Sequence, residues 1–159
     1  MITVTRRSFI EGVTPAQIFA ALSDPNMIGR LLPRVQKVEM LARDDQARKA
    51  RLVTHMSMGG IFGTIRCEGD LTWTDDEEIV FNVRNPLPVQ TRWKLSAGVN
   101  GTQIEATMGL DLAPMLGPMA AFVPTQQVAD MLAVELEGAL KSIGKSISGD
   151  TLKARAVAA

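Results

Sequence analysis

The chain reads as a single α+β domain: a seven-stranded, curved antiparallel sheet around a long C-terminal helix. Three observations predict it. Six strand-like segments follow one another from Val35 to Leu112, and sequential strands joined by short turns are antiparallel neighbours. Read alternately, one face of each of these strands carries no charged residue, so the sheet needs an apolar cover. Pro124–Ile147 supplies one, because Val128, Leu132, Leu136, Leu140, Ile143 and Ile147 recur at spacings of three or four and make a single helical stripe. A helix of that length spans about 36 Å, enough to cross the sheet.

Each element follows from local chemistry. Ile2–Ile10 is rich in β-branched residues and reads as the first strand, which Gly12 breaks. Thr14-Pro15 is an N-cap with proline at the first helical position, and Ile18, Phe19 and Leu22 give that short helix one apolar side. Asp24-Pro25 ends it and opens a second short helix with Met27, Ile28, Leu31 and Leu32 apolar, stopped by Pro33. Turns are expected at Asp44-Asp45, Gly59-Gly60, Asp75-Asp76, Asn85-Pro86 and Asn100-Gly101. The Gly-Gly and Asn-Gly pairs suit tight two-residue hairpins, whose central positions need positive φ. Gly63 or Gly69 marks a candidate bulge in the fourth strand. Ala113–Val123 reads as an apolar loop interrupted by Pro114, Gly117 and Pro118. The domain is expected to cover residues 1–149, with 150–159 as a small, polar tail that frays.

Bulk properties narrow the function. A length of 159 residues suits one domain with a real core. Net charge is zero and aromatics make up 4 %, with no tyrosine. Neither a basic stripe nor base-stacking platforms are therefore expected, and nucleic acid is not an expected partner. No apolar run approaches the length of a transmembrane span. Thr5-Arg6-Arg7-Ser8-Phe9-Ile10 has a superficial look of a twin-arginine signal, but Glu11-Gly12-Val13-Thr14-Pro15 is not an apolar h-region. One cysteine, Cys67, excludes an internal disulfide and fits a reducing compartment, so a cytoplasmic location is expected.

The order strand, two short helices, meander, long helix is that of the helix-grip fold. The chain resembles the START/SRPBCC superfamily, which includes the birch-pollen-allergen-like and polyketide cyclase/dehydrase families. Pro15-Ala16-Gln17-Ile18-Phe19, Leu22-Ser23-Asp24-Pro25 and Leu32-Pro33-Arg34-Val35 carry the likeness. They are similar to a hydrophobic helix, an SDP turn and an LP-x-V entry to the second strand. These motifs mark a fold and not an activity. Many relatives have a tryptophan between the short helices and the Leu-Pro; here Gly29-Arg30-Leu31 stands there. The resemblance implies a cavity between sheet and helix that takes a hydrophobic small molecule or lipid.

Alternation assigns the faces. Met40, Leu52, Thr54, Met56, Met58, Ile65, Cys67, Phe81, Thr91, Trp93, Ile104 and Met108 fall inward, among other apolar residues. Lys37, Glu39, Arg51, His55, Arg66, Glu68, Asp70, Arg84, Arg92, Lys94 and Glu105 fall outward. The candidate ligand-binding residues are Met40, Leu52, Thr54, Met56, Ile65, Cys67, Phe81, Thr91, Trp93, Ile104 and Met108 from the sheet, with Met115, Met119, Phe122, Met131 and Leu132 from the loop and helix. Nine methionines is a high count; thioether side chains suit a pocket of variable apolar shape, or equally a simple core filling. The loop 113–123 is read as a gate or a plug at one end of the cavity, with the plug preferred.

No catalytic residue, cofactor or metal site is expected. Inward polarity is limited to Thr54, Cys67 and Thr91, none a good general acid or base. His55 belongs to the outward series, and an apolar setting makes a cysteine inert. The leading reading is binding or carriage of a greasy ligand. A cyclase/dehydratase-like enzyme is the alternative, for which Glu135 near the cavity mouth is the carboxylate to watch. The third reading is an accessory module for a larger enzyme, implied by relatives that serve carbon monoxide dehydrogenase in that way. A homodimer or a partner enzyme is left open.

Overall fold

The computed structural model describes residues 1–32, 34–59, 63–85 and 88–158. The expected stop at Pro33, the turn positions Gly60 and Pro86, and the side chains of Leu31, Met58 and Met115 lie outside the described residues. The strands are β1 (Ile2–Glu11), β2 (Val35–Asp44), β3 (Lys49–Gly59), β4 (Gly63–Thr74), β5 (Glu78–Asn85), β6 (Val89–Gly98) and β7 (Gly101–Leu110). They form one antiparallel sheet in the order β1-β7-β6-β5-β4-β3-β2. β2 to β7 run as a meander, and β1 closes against β7 with Ile2 opposite Leu110 and Ile10 opposite Thr102. This is the helix-grip arrangement.

The short helices are built as their ends foretell. α1 (Pro15–Ser23) starts with a full capping box: Gln17 N donates to Thr14 Oγ1 at 3.2 Å, and Thr14 N donates to Gln17 Oε1 at 2.8 Å. α2 (Pro25–Leu31) is capped by Asp24, whose Oδ1 accepts from Asn26 N at 2.9 Å. Ile18, Leu22 and Ile28 point from these helices into the core.

The segment read as a loop turns twice instead. α3 (Ala113–Leu116) leads into a 3-10 segment (Gly117–Phe122), and Gly117 joins them with φ 53°. α4 then runs from Thr125 to Ala158, past the expected end near Gly149. A glycine inside a helix costs only about 1 kcal/mol, so it need not stop one. Ala133, Leu136, Ala139, Leu140, Ile143 and Ile147 form its buried stripe. The helix packs chiefly on β1 and makes lesser contacts with β7 and α2. Arg6 Nε donates to Glu137 Oε1 at 2.9 Å and links the edge strand to the helix.

Register explains where simple alternation departs from the result. The bulge expected in β4 at Gly63 or Gly69 falls on its neighbours instead: the extra residue is Met58 in β3, opposite Gly63-Thr64, and Arg84 in β5, opposite Glu68-Gly69. Cys67, Leu71 and Trp73 nonetheless remain together on the buried face. A Cβ on Gly69 would collide with the Asn82 carbonyl oxygen, so the close approach of β5 requires glycine there. The β6–β7 turn sits one residue earlier than Asn100-Gly101: Gly98 pairs with Gly101, and Asn100 alone of the pair has positive φ, 60°. A further register shift between Met40 and Ala42 reverses the phase of β2. Arg43 is thereby brought opposite Ala50, with its guanidinium 5.0 Å from the centroid of the Trp73 ring. The inner face of the meander thus carries a charge at one corner, because a bulge re-aims the side chains beyond it, and on β1 Arg6, opposite Ala106, faces inward towards Glu137 of α4.

Candidate functional site

Cross-strand partners share a face, so the inner surface can be read in rows. Trp73, Ile79, Trp93 and Ala106 form one row, and all four are buried. In the next row Leu71 is buried, while Phe81, Thr91 and Met108 are partly exposed. The row beyond joins Met40, Leu52, Gly69, Val83, Val89 and Leu110, of which Met40, Val83 and Val89 are partly exposed. Exposure therefore rises along β5 and β6 away from the tryptophan row. A sealed floor of Trp, Ile and Ala grades into an apolar surface that solvent can touch.

On the β2–β4 side, Thr54 is flanked by Val38 and Cys67 across the ladder and by Leu52 and Met56 along its own strand. Thr54 is 3 % exposed, and its Oγ1 makes no hydrogen bond. Burial pushes the Cys67 thiol above its ordinary pKa, and the nearby Thr54 hydroxyl partly opposes that. The two side chains face one another across the β3–β4 ladder. A thiol held neutral in this way is a poor nucleophile.

The charged groups lie at the rim or outside. His55 is on the outer face, its Nε2 3.3 Å from Glu39 Oε2. Lys37, whose Nζ is 3.0 Å from Glu39 Oε1, and secondarily His55 hold the Glu39 carboxyl below its usual range. Glu135 on α4 is engaged by Arg34: Arg34 Nε lies 2.7 Å from both carboxylate oxygens and Nη2 2.6 Å from one. Arg34 also reaches the Ser57 carbonyl at 3.4 Å, tying α4 to the entry of β2 and to β3.

The expected site residues divide into groups. Leu52, Thr54, Cys67, Trp93 and Ile104 are buried on the inner face. Met40, Met56, Ile65, Phe81, Thr91, Met108 and Leu132 are partly exposed. Met119, Phe122 and Met131 are 62 %, 81 % and 69 % exposed, and the fold does not bring them to the enclosed surface. Met131 precedes Leu136 by five positions, which places it roughly 140° round α4 from the buried stripe. Met119 and Phe122 are turned outward, so neither of these side chains of the 113–123 segment plugs the core. Alternation missed Arg43, because the bulge at Leu41 has no Gly or Pro to announce it.

A separate cleft of about 280 Å³ lies at the far turns, lined by Ala47, Arg48, Lys49, Thr72, Trp73, Thr74, Glu78 and Val80. Its lining is mixed and charged, unlike the apolar rows. Among the described residues, no group of three or more His, Cys, Asp or Glu side chains could hold a metal ion, and no helix is long and apolar enough to cross a membrane.

Comparison with solved structures agrees with this architecture. A START superfamily protein from Mycobacterium smegmatis superposes with a TM-score of 0.74 at 14 % identity, covering 92 % of this chain and 97 % of that one. An aromatase/cyclase from Streptomyces sp. R1128 gives 0.68 at 14 % identity, covering 91 % and 94 %. Ara h 8.0201 gives 0.65 at 16 % identity, covering 92 % and 97 %. At such identities these likenesses establish the fold alone. No curated protein sequence matches the chain significantly. The family model described as polyketide cyclase / dehydrase and lipid transport matches residues 1–143. The chain belongs to that family, within the START/SRPBCC superfamily.

Proposed function

We propose that this chain binds and carries a hydrophobic small molecule or lipid, in the cytoplasm, between the inner face of the sheet and α4. The observation that carries the reading is the gradient along β5 and β6. Phe81, Val83, Val89, Thr91 and Met108 point inward and are apolar or weakly polar, yet they are only partly buried. Apolar surface left in contact with water on a concave face favours an apolar occupant, at about 25 cal/mol for each Å² covered. Met40, Met56 and Met108 add adaptable walls. The family description, which includes lipid transport, supports the same class.

The test is extraction of the purified protein with organic solvent, followed by titration with the neutral fluorophore N-phenyl-1-naphthylamine. A co-purifying apolar compound, or saturable fluorescence enhancement at micromolar protein that Met108→Trp suppresses, is the expected result. An empty extract together with linear, unsaturable fluorescence would contradict the reading.

The second reading is a cyclase or dehydratase, favoured by the other half of the family description. It needs an ionisable group facing the ligand. Glu135 is the best placed carboxylate, but Arg34 occupies both its oxygens. Turnover that Glu135→Gln abolishes, without loss of ligand binding, would establish the enzyme.

A further inference from the structure

Two buried threonines on the sheet differ in one respect. Thr102 Oγ1 donates to the Val13 carbonyl at 2.8 Å. Thr54 Oγ1 makes no hydrogen bond among the described residues, although it is equally removed from water and faces the Cys67 thiol across the ladder. A buried hydroxyl without a partner is costly, so its persistence asks for an explanation. Thr54 faces inward, with Cys67 as its cross-strand neighbour. The other positions flanking it, Val38, Leu52 and Met56, offer no side-chain polar group to answer it.

Resting on the carrier reading above, we propose that Thr54 Oγ1, with the Cys67 thiol beside it, is the polar anchor of the apolar site. The ligand it selects is a neutral amphiphile: an apolar body bearing one uncharged oxygen, carbonyl or hydroxyl. The Thr54 hydroxyl donates to that oxygen, and the thiol can add a weak second donor. No charged side chain flanks this position on the inner face. The cations that approach β3 from this side, Arg34 and Arg43, are already paired with Glu135 and Asp45. A carboxylate brought to Thr54 would therefore lose its hydration without gaining a counter-charge. Met56 on the same strand and Met40 on β2 are partly exposed and unbranched. A ligand passes them by turning thioether side chains, with no movement of backbone.

The experiment is displacement of N-phenyl-1-naphthylamine from the full chain by 2-decanone and by decanoate at pH 7.5, in wild type, Thr54→Val and Thr54→Ser. One hydrogen bond is worth about tenfold in affinity. Wild type should take 2-decanone about tenfold more tightly than decanoate. Thr54→Val should weaken 2-decanone by about the same factor, and Thr54→Ser should keep the ketone preference. Equal ketone affinity in wild type and Thr54→Val, or a preference for decanoate, overturns the anchor while leaving the carrier reading intact. Failure of all three proteins to bind the fluorophore or either decanoid overturns the carrier reading, and the anchor with it.

Discussion

Replacing Thr54 by valine should stabilise the ligand-free protein, whereas the same change at Thr102 should weaken it. Thr54 and Thr102 are 3 % and 0 % exposed, so neither hydroxyl is hydrated. Valine matches threonine in shape, which leaves hydrogen bonding as the main difference. At Thr54 the substitution removes a hydroxyl that makes no hydrogen bond among the described residues. Leaving such a group unmatched costs about 1–3 kcal/mol, and the neighbouring Cys67 recovers part of that, so a gain of about 1 kcal/mol is expected. At Thr102 the substitution breaks the 2.8 Å bond to the Val13 carbonyl and orphans that carbonyl, for a loss of about 1–2 kcal/mol. For a chain of this size each kcal/mol moves the midpoint by about 2–4 °C. Thermal melts by circular dichroism, with urea midpoints at unchanged slope as the cross-check, should place Thr54→Val above wild type and Thr102→Val below it. A Thr54→Val melt as low as that of Thr102→Val would mean the Thr54 hydroxyl is satisfied in the folded chain. The physical basis of the ligand anchor would then be gone.

Other outcomes follow from the same geometry. Gly69→Ala drives a Cβ into the Asn82 carbonyl and should cost about 2 kcal/mol or more in urea unfolding. Gly138→Ala, where a Cβ meets nothing within 4 Å, should gain about 0.5–1 kcal/mol by raising helix propensity. The raised Cys67 pKa means the folded state retains a proton that the unfolded state has lost, so stability falls as pH climbs past the ordinary thiol value of 9.0. That alkaline decline should be shallower in Cys67→Ala, measured by urea midpoints between pH 8 and 10. Trp93→Arg buries an unpaired charge and should abolish fluorophore binding and lower the melting temperature together. His55→Ala, on the outer face, should leave fluorophore binding unchanged.

Most of the architecture was legible because period-two and period-3.6 patterns coexist without conflict. The Thr14/Gln17 capping box, the Asp24 cap and the Leu136-Leu140-Ile143-Ile147 stripe all read directly from residue type and spacing. Bulges were less readable. Gly69 marks the close approach of β5, on which Arg84 is the extra residue, but Leu41 gives no such sign and still turns Arg43 inward. Burial on the outer face was invisible too. Val53 belongs to the outward series but is fully buried, with Glu39 and Glu68 opposite it and Arg51 and His55 beside it on the same face. At the candidate site, alternation found the inward residues of the sheet. It passed over Thr102, which is buried in phase with Ile104 and belongs with Thr54, Cys67 and Thr91 as inward polarity, because its hydrogen bond to the Val13 carbonyl depends on how α1 is entered. Nor did composition separate apolar residues that fill the core from those that face solvent, as Met119, Phe122 and Met131 do.

The central claim is that a greasy ligand lies over the inner rows of the sheet. The tryptophans offer a direct reporter, since Trp73 and Trp93 are the only two in the chain and share one buried row. With Trp73→Phe leaving Trp93 as sole fluorophore, the chain should be titrated with 12-bromo-1-dodecanol, whose bromine quenches only on contact. Saturable quenching of Trp93 at micromolar ligand, reversed by excess 2-decanone, is the predicted result. Unquenched Trp93 emission, with the ligand bound by equilibrium dialysis, would place the ligand elsewhere on the protein and contradict the account.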